Sequence, residues 1–253
     1  MPRGKEAVFG SEQAESADRQ KQSVLLVSVA IMTVELPVGQ LSRSEEVWSY
    51  LNEEQVAVAR NGVVGRNGFR IGTCSKESWS DLRNVLQRLT GSALKSQQIT
   101  ALPGRGFPIV VGRNQPAQTI FTYKEDGSLS GRDYPAGDNL LLFVFTLNPE
   151  DRSKLMVSGM PQIRTLKEKD KLIKTRSGLS LVREPERFAF SEMVFQSMIP
   201  EEDLLVIGPG AASSNPSGLG HHFLTHQRDG MLFETLLIVV PRVYVQELKS
   251  PPQ

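Results

Sequence analysis

All three histidines of the chain fall in one stretch, GLGHHFLTHQ (218–227). If that stretch were helical, His222 and His226 would share a face at the spacing two metal ligands need. No glutamate stands between them as a zinc protease requires, and no neighbouring carboxylate offers a third ligand. No metal is therefore expected at His221, His222 or His226. The single cysteine, Cys74, excludes an internal disulfide or a thiolate cluster, and with no histidine near it in sequence it reads as an ordinary buried thiol. Two glycine-rich stretches, GRGFPIVVGRNQP (104–116) and GPGAASSNPSG (208–218), lack the strand–GxGxxG–helix order of a phosphate cradle. In the second, Pro209 also removes an N–H that such a cradle would use, and both stretches read as loops. No serine sits in a GxSxG elbow, and Glu201, Glu202 and Asp203 beside Pro200 read as a turn. The expectation is a non-enzymatic chain with no catalytic residue, cofactor or metal.

The elements that frame these residues begin from a chain of 253 residues, enough for one large domain or two small ones, with formal charge +1. That balance argues against a protein built to hold nucleic acid or anionic lipid. The most charged segment, 164–187, carries eight basic and four acidic residues but no aromatic ring on which a base could stack. It reads as a solvated hairpin or loop. No apolar run reaches the ~18 residues of a membrane-spanning helix. Residues 1–22 are polar, mixed in charge and without the apolar core of a secretory leader, so a disordered tail is expected there, with a flexible tail at 248–253.

Between the tails, SVLLVSVAIMTVEL (23–36) is apolar at alternate positions on both faces, rich in β-branched residues and stopped by Pro37, which predicts a strand buried on both sides. Helical spacing follows near 44–57, then a loop marked by Gly62, Gly65 and Gly68. A second helix is expected near 78–90, with Ser78 and Asp81 as its capping box, a stripe of Trp79, Leu82, Leu86 and Leu89, and Gly91 as its left-handed cap. Thereafter the pattern predicts strands at 107–112, 117–123, 139–147, 154–160, 189–199, 203–208 and 232–245, separated by turn residues. The fold class expected is α+β, mainly β: antiparallel meandering sheets preceded by two short helices. Within the last strand Pro241 has no N–H to give, so it should fall at an edge or bulge.

The order of these pieces resembles the core domain of the bacterial secretins, the ring-forming outer-membrane channels of type II and type III secretion and type IV pili. VLLVSVAIMTVE (24–35), ending at Glu35, is similar to the family's opening strand, and LRNVLQRL (82–89) to its LxxL helix. Pro108, Gly112, Ala117 and Ile120 resemble its small-residue segment, and Tyr134, Gly137 and Pro149 stand in the order of its tyrosine–glycine–proline element. VFQSMIPEEDLLVIGPG (194–210), with Gly208, is similar to the strand pair before its paired glycines. LGHHF (219–223), with Gly220 and Phe223, and ETLLIVVPRVYV (234–245), with Pro241 and Arg242, resemble its closing motifs. Gly208–Pro209 replaces the two glycines, and the segment 121–134, where channel-gate hairpins would be inserted, is brief.

The resemblance implies a secretin-like core over 23–247, in which residues 232–245 pair antiparallel with 203–208, and a structural subunit that self-associates by strand pairing into an envelope ring, with a role in secretion or transport. The implied partners are copies of itself and other envelope proteins, with no nucleic acid, and a membrane only for an oligomeric β assembly. The alternative is a stand-alone soluble domain on the same fold, used for binding or scaffolding. The cell envelope is implied if a leader has been removed, the cytoplasm otherwise.

Overall fold

The computed structural model describes residues 23–247 except 56, 57, 152, 176, 177 and 201. The tails expected at 1–22 and 248–253 lie outside the described residues. The first described strand, β1 (Ser23–Pro37), pairs along all 15 of its residues with the last, β13 (Met231–Glu247). Between them run α1 (Glu45–Trp48), α2 (Val58–Arg66), β2 (Phe69–Cys74), α3 (Lys76–Thr90), β3 (Ser96–Ala101), β4 (Gly106–Gln115), β5 (Gln118–Tyr123) and β6 (Leu129–Tyr134). The chain continues through β7 (Gly137–Leu147), β8 (Lys154–Thr175), β9 (Gly178–Ala189), β10 (Phe195–Pro200), β11 (Leu204–Pro209), α4 (Leu219–Leu224) and β12 (Thr225–Arg228). The class is α+β, mainly β, and the paired strands are antiparallel.

Among the described residues the strands form three sheets. The first, sheet A, has the order β2-β11-β13-β1-β3 with β12 added to β13; the second, sheet B, has the order β10-β8-β7-β4 with β9 added to β8; β5 and β6 form a separate hairpin. Sheet B is a meander from β7 to β9, as turn spacing suggests, but sheet A gathers strands from both ends of the chain and is not. Asp229 and Gly230, both at positive φ, form the tight turn that joins β12 to β13.

The pleat of β1 explains how two cores are served by one strand. Val27, Val29 and Ile31 face sheet B, packing with Phe143, Phe145, Val157 and Phe195. Farther along, Val34 and Leu36 on the opposite face lie under the helices with Trp48, Leu82, Leu86 and Ile238. The strand is therefore not buried on both sides along its length, as its composition suggests; it changes its buried side between Ile31 and Val34, where Thr33 is exposed. The Trp48 indole N–H donates to the Leu41 carbonyl at 3.0 Å. The buried Glu234 carboxylate accepts from the Leu41 and Ser42 amides at 2.9 and 3.0 Å, fixing the turn after β1.

Several local expectations are corrected. The cap of α3 is Ser75, whose hydroxyl accepts from the Ser78 amide, so the helix starts before the Ser78–Asp81 pair; Gly91 does close it at φ 65°. The expected glycine loop is helix α2 through Gly65, because Val63 and Val64 enter the β-sandwich core, and packing outweighs the low helix propensity of glycine. The first expected helix is short, α1 followed by a single 3-10 turn at Glu53–Gln55. The strand expected at 107–112 forms and runs over 106–115, so the loop reading of 104–116 fails, and the strand expected over 189–199 is broken by a 3-10 turn at Ser191–Met193. The charged segment, by contrast, is a hairpin as expected, formed by β8 and β9.

β11 pairs with β13 through Leu205↔Val239, Val206↔Ile238 and Ile207↔Leu237, and stops before Pro241. Pro241 is buried and, among the described residues, paired only on the β1 side, with Val29. Replacing Pro241 by Val should therefore change stability by less than about 1 kcal/mol in urea unfolding followed by circular dichroism. Ile238→Asp, which buries an unpaired charge between α3 and the sheet, should cost about 4 kcal/mol or more and leave the chain unfolded. A folded Ile238→Asp would overturn this account of the helix-covered core.

Candidate assembly surface

The residues singled out in sequence are spread through the fold, and several are packing contacts. A Cβ on Gly208 would meet Leu236 Cδ1 at 2.4 Å, one on Gly220 the Gly68 carbonyl oxygen at 2.5 Å, and one on Gly137 the Arg164 carbonyl oxygen at 2.5 Å. These glycines let elements approach closely. Gly112 stands at a register irregularity in β4, and Ala117 is an exposed residue in the short link to β5. Tyr134 and Phe223, distant in sequence, both meet Phe190, at ring separations of 5.2 and 5.6 Å. Phe190 was not singled out in sequence, since it lies at a strand end with no periodic pattern around it. Pro149 lines a shallow hollow with Leu25, Leu147 and Val245.

Polar contacts tie the same elements. Arg228 donates to Glu35 at 2.9 Å, joining β12 to β1, and His226 Nε2 lies 3.5 Å from the same carboxylate. Buried Gln118 and Asn139 exchange two amide hydrogen bonds of 3.0 Å, and Asn139 also donates to the His222 carbonyl. Asn67 donates to the Val63 and Tyr123 carbonyls and accepts from the Tyr123 amide at 2.8 Å, fastening α2 to β5. α4 ends before His226, which lies on β12, so His222 and His226 do not share a helical face. Burial, and secondarily His221, holds His222 below its ordinary pKa. Among the described residues no three metal-ligating side chains converge.

Sheet B carries the surface with the clearest incomplete contacts. Its inner side chains, including Leu141, Phe143, Phe145, Leu155 and Val157, fill the core against sheet A. Alternation sends Leu142, Val144, Met156, Met160 and Met198 to the opposite side, where they remain half-buried and belong to neither core cluster. Among the described residues, no strand pairs with the outer edges of β4 and β10. β4 breaks register between Val110 and Gly112 and again before Gln115, a device that bends an edge away from casual pairing.

The β8–β9 hairpin extends beyond this sheet. Cross-strand ion pairs join Lys169 to Glu186, Lys171 to Glu184 and Arg183 to Asp170 along it. Toward its tip Leu172 faces Leu181 across the ribbon, with Leu179 beyond, and these are 66%, 63% and 75% exposed. At its base Asp138 is held by Arg164 at 2.6 Å and by the Asn114 amide at 2.9 Å.

No protein-family model matches the sequence, and no curated protein matches it. Among solved structures the chain is similar to the V. cholerae type IV competence pilus secretin PilQ, at 10% identity over 88% of this chain and 58% of that one, with a TM-score of 0.22. It is also similar to the InvG secretin-domain β-barrel of the Salmonella SPI-1 injectisome, at 9% identity over 91% and 63%, TM-score 0.18. A third is the type II secretion system outer membrane complex of Klebsiella pneumoniae, with PulD, PulS and the PulC HR domain, at 9% over 92% and 41%, TM-score 0.24. The first two are described as secretins, the family that the motif order resembles. The chain spans less than two thirds of each of the three.

Two outcomes follow from the geometry. Burial, with the Asp203 carboxylate adding to it, pushes the Cys74 thiol up to about 11. Iodoacetamide at pH 8 should leave folded protein unmodified and label it fully in urea; rapid labelling of the native chain would contradict the packing of β2. Burial opposes ionisation of Asp138, but Arg164 and the Asn114 amide outweigh it and hold the carboxyl below its ordinary range. The stability this contributes is present above the unfolded carboxyl pKa of about 3.9 and disappears as pH falls through the lower folded value. Asp138→Asn should cost about 2 kcal/mol at pH 7, with the difference from wild type shrinking below pH ~4 in urea titrations.

Proposed function

We propose that the chain is a structural, non-enzymatic, secretin-like subunit that self-associates by pairing the open edges of sheet B into an envelope ring used in secretion or transport. The observation that carries this reading is one sheet whose two edges, at β4 and β10, are unpaired among the described residues, with a half-exposed apolar face between them. Unpaired N–H and C=O groups are costly wherever water is excluded, and closing the sheet through neighbouring copies removes both edges together. A closed assembly would also place Leu142, Val144 and Met160 on one continuous band, as a β wall in contact with lipid or a second wall requires. The core of such a subunit is residues 23–247, and other envelope proteins are its further partners.

The register breaks in β4 favour a second reading, a stand-alone domain on the same fold that binds or scaffolds proteins and guards its edge against pairing. Size-exclusion with light scattering in buffer, detergent and lipid separates the two. Ring formation predicts a discrete large species in detergent or lipid. In a Cys74→Ser background, cysteines at Pro108 on β4 and Gln196 on β10 should give a cross-linked ladder only when both are present. A monomer under every condition, with no ladder, would leave the scaffold reading alone.

A further inference from the structure

Helix α3 covers only part of the outer face of sheet A. Beyond its edge, the rung Gln98–Ala30–Val240 and the pair Ser28–Arg242 are left on an open groove of about 400 Å³ between the helix and strands β3, β1 and β13. Its floor is low because Ala30 and Ser28 are small, and Met32 and Val240 flank it with apolar surface. Trp79 and Arg83, one turn apart on α3, form the wall, and Arg242 enters from the strand just after Pro241. The lining contains both guanidinium groups and no carboxylate.

Five other arginines are matched by acids: Arg70 by Glu53, Arg88 by Glu46, Arg164 by Asp138, Arg183 by Asp170 and Arg228 by Glu35. Among the described residues Arg83 and Arg242 form no ion pair, and Glu202, the acid whose field reaches Arg242, is bound by Lys76. A guanidinium offers a planar fork of donors that suits a carboxylate, and a tryptophan face beside it adds apolar and cation–π contact. A volume of this size lies within the range of side-chain and small-ligand pockets.

We propose that this groove is a docking site for an acidic, apolar peptide segment of a partner protein. One large apolar side chain seats over Ala30 between Met32 and Val240, and flanking carboxylates engage Arg83 and Arg242. The groove lies on sheet A, away from the edges of sheet B, so this proposal and self-association stand or fall separately.

The test uses the full chain and the blocked peptide acetyl-Glu-Leu-Phe-Leu-Glu-Leu-amide, with a control carrying Lys at both Glu positions. Trp79 is half-buried beside the groove whereas Trp48 is closed in the core, so tryptophan emission reports the site. The acidic peptide should give a saturable change in emission, and the lysine peptide none. Arg83→Glu and Arg242→Glu should each weaken binding by about tenfold or more with the circular dichroism spectrum unchanged, and Arg83→Lys should retain part of it. Equal binding of both peptides, no binding of either, or undiminished binding by both charge-reversal variants would each overturn the proposal. A change in oligomeric size on Arg242→Glu without peptide would assign the groove to a second copy and overturn the peptide reading as well.

Discussion

The pairing of β1 with β13 holds the two layers in one body. A strand in a pleated sheet can give alternate side chains to opposite sides, and a strand longer than one core can give different stretches to different cores. β1 does both, lining the sandwich with Val27, Val29 and Ile31 and the helical layer with Val34 and Leu36. β13 beside it serves both at once, its alternation sending Leu237 and Val239 into the sandwich and Leu236 and Ile238 under the helices. A one-residue slip between these strands would send each apolar set to the wrong layer, so the two cores together specify the register.

Much of this was legible where a residue pattern had a single physical meaning. The stripe of α3, the apolar β7, the Asp229–Gly230 turn and the break in apolar character after Val240 all follow from short-range periodicity and turn chemistry. The neighbour of the closing strand, β11, was legible as well, because both are short, dense in aliphatic residues and joined by a connection long enough to turn back. What failed was local propensity under tertiary pressure. Gly62 and Gly65 signal a loop, yet the valines between them are drawn into the core and take the backbone with them as a helix. β2 and β3 escaped notice because one contains Gly72 and Arg70 and the other is the polar edge Ser-Gln-Gln.

The candidate surface was less legible than the fold for a related reason. Side chains such as Leu142 and Met160 differ from core residues only in what lies opposite them, which is a property of the sheet and not of the strand's composition. Likewise, Tyr134 and Phe223 stand in recognisable motifs, but Phe190, the ring that joins them, lies outside both. Arg242 is conspicuous in sequence beside Pro241; that it shares a groove with Arg83 and Trp79 depends on the placement of α3 across strands from both ends of the chain.

Pairing the first strand with the last also shapes how the chain acquires its structure. Sheet B is assembled largely from neighbours in sequence, so it can form as soon as β10 is available. Sheet A cannot: β13 fills the place between β11 and β1, and until it arrives both lack their shared neighbour. Contacts of such long sequence separation form slowly, because the loop entropy is lost before the pairing compensates it. During synthesis β1, with Val27, Val29 and Ile31, waits with one edge unfilled until the last strand leaves the ribosome. Over that interval the exposed apolar strand is a site for holdase binding or misassembly, and its protection is a condition of folding this topology.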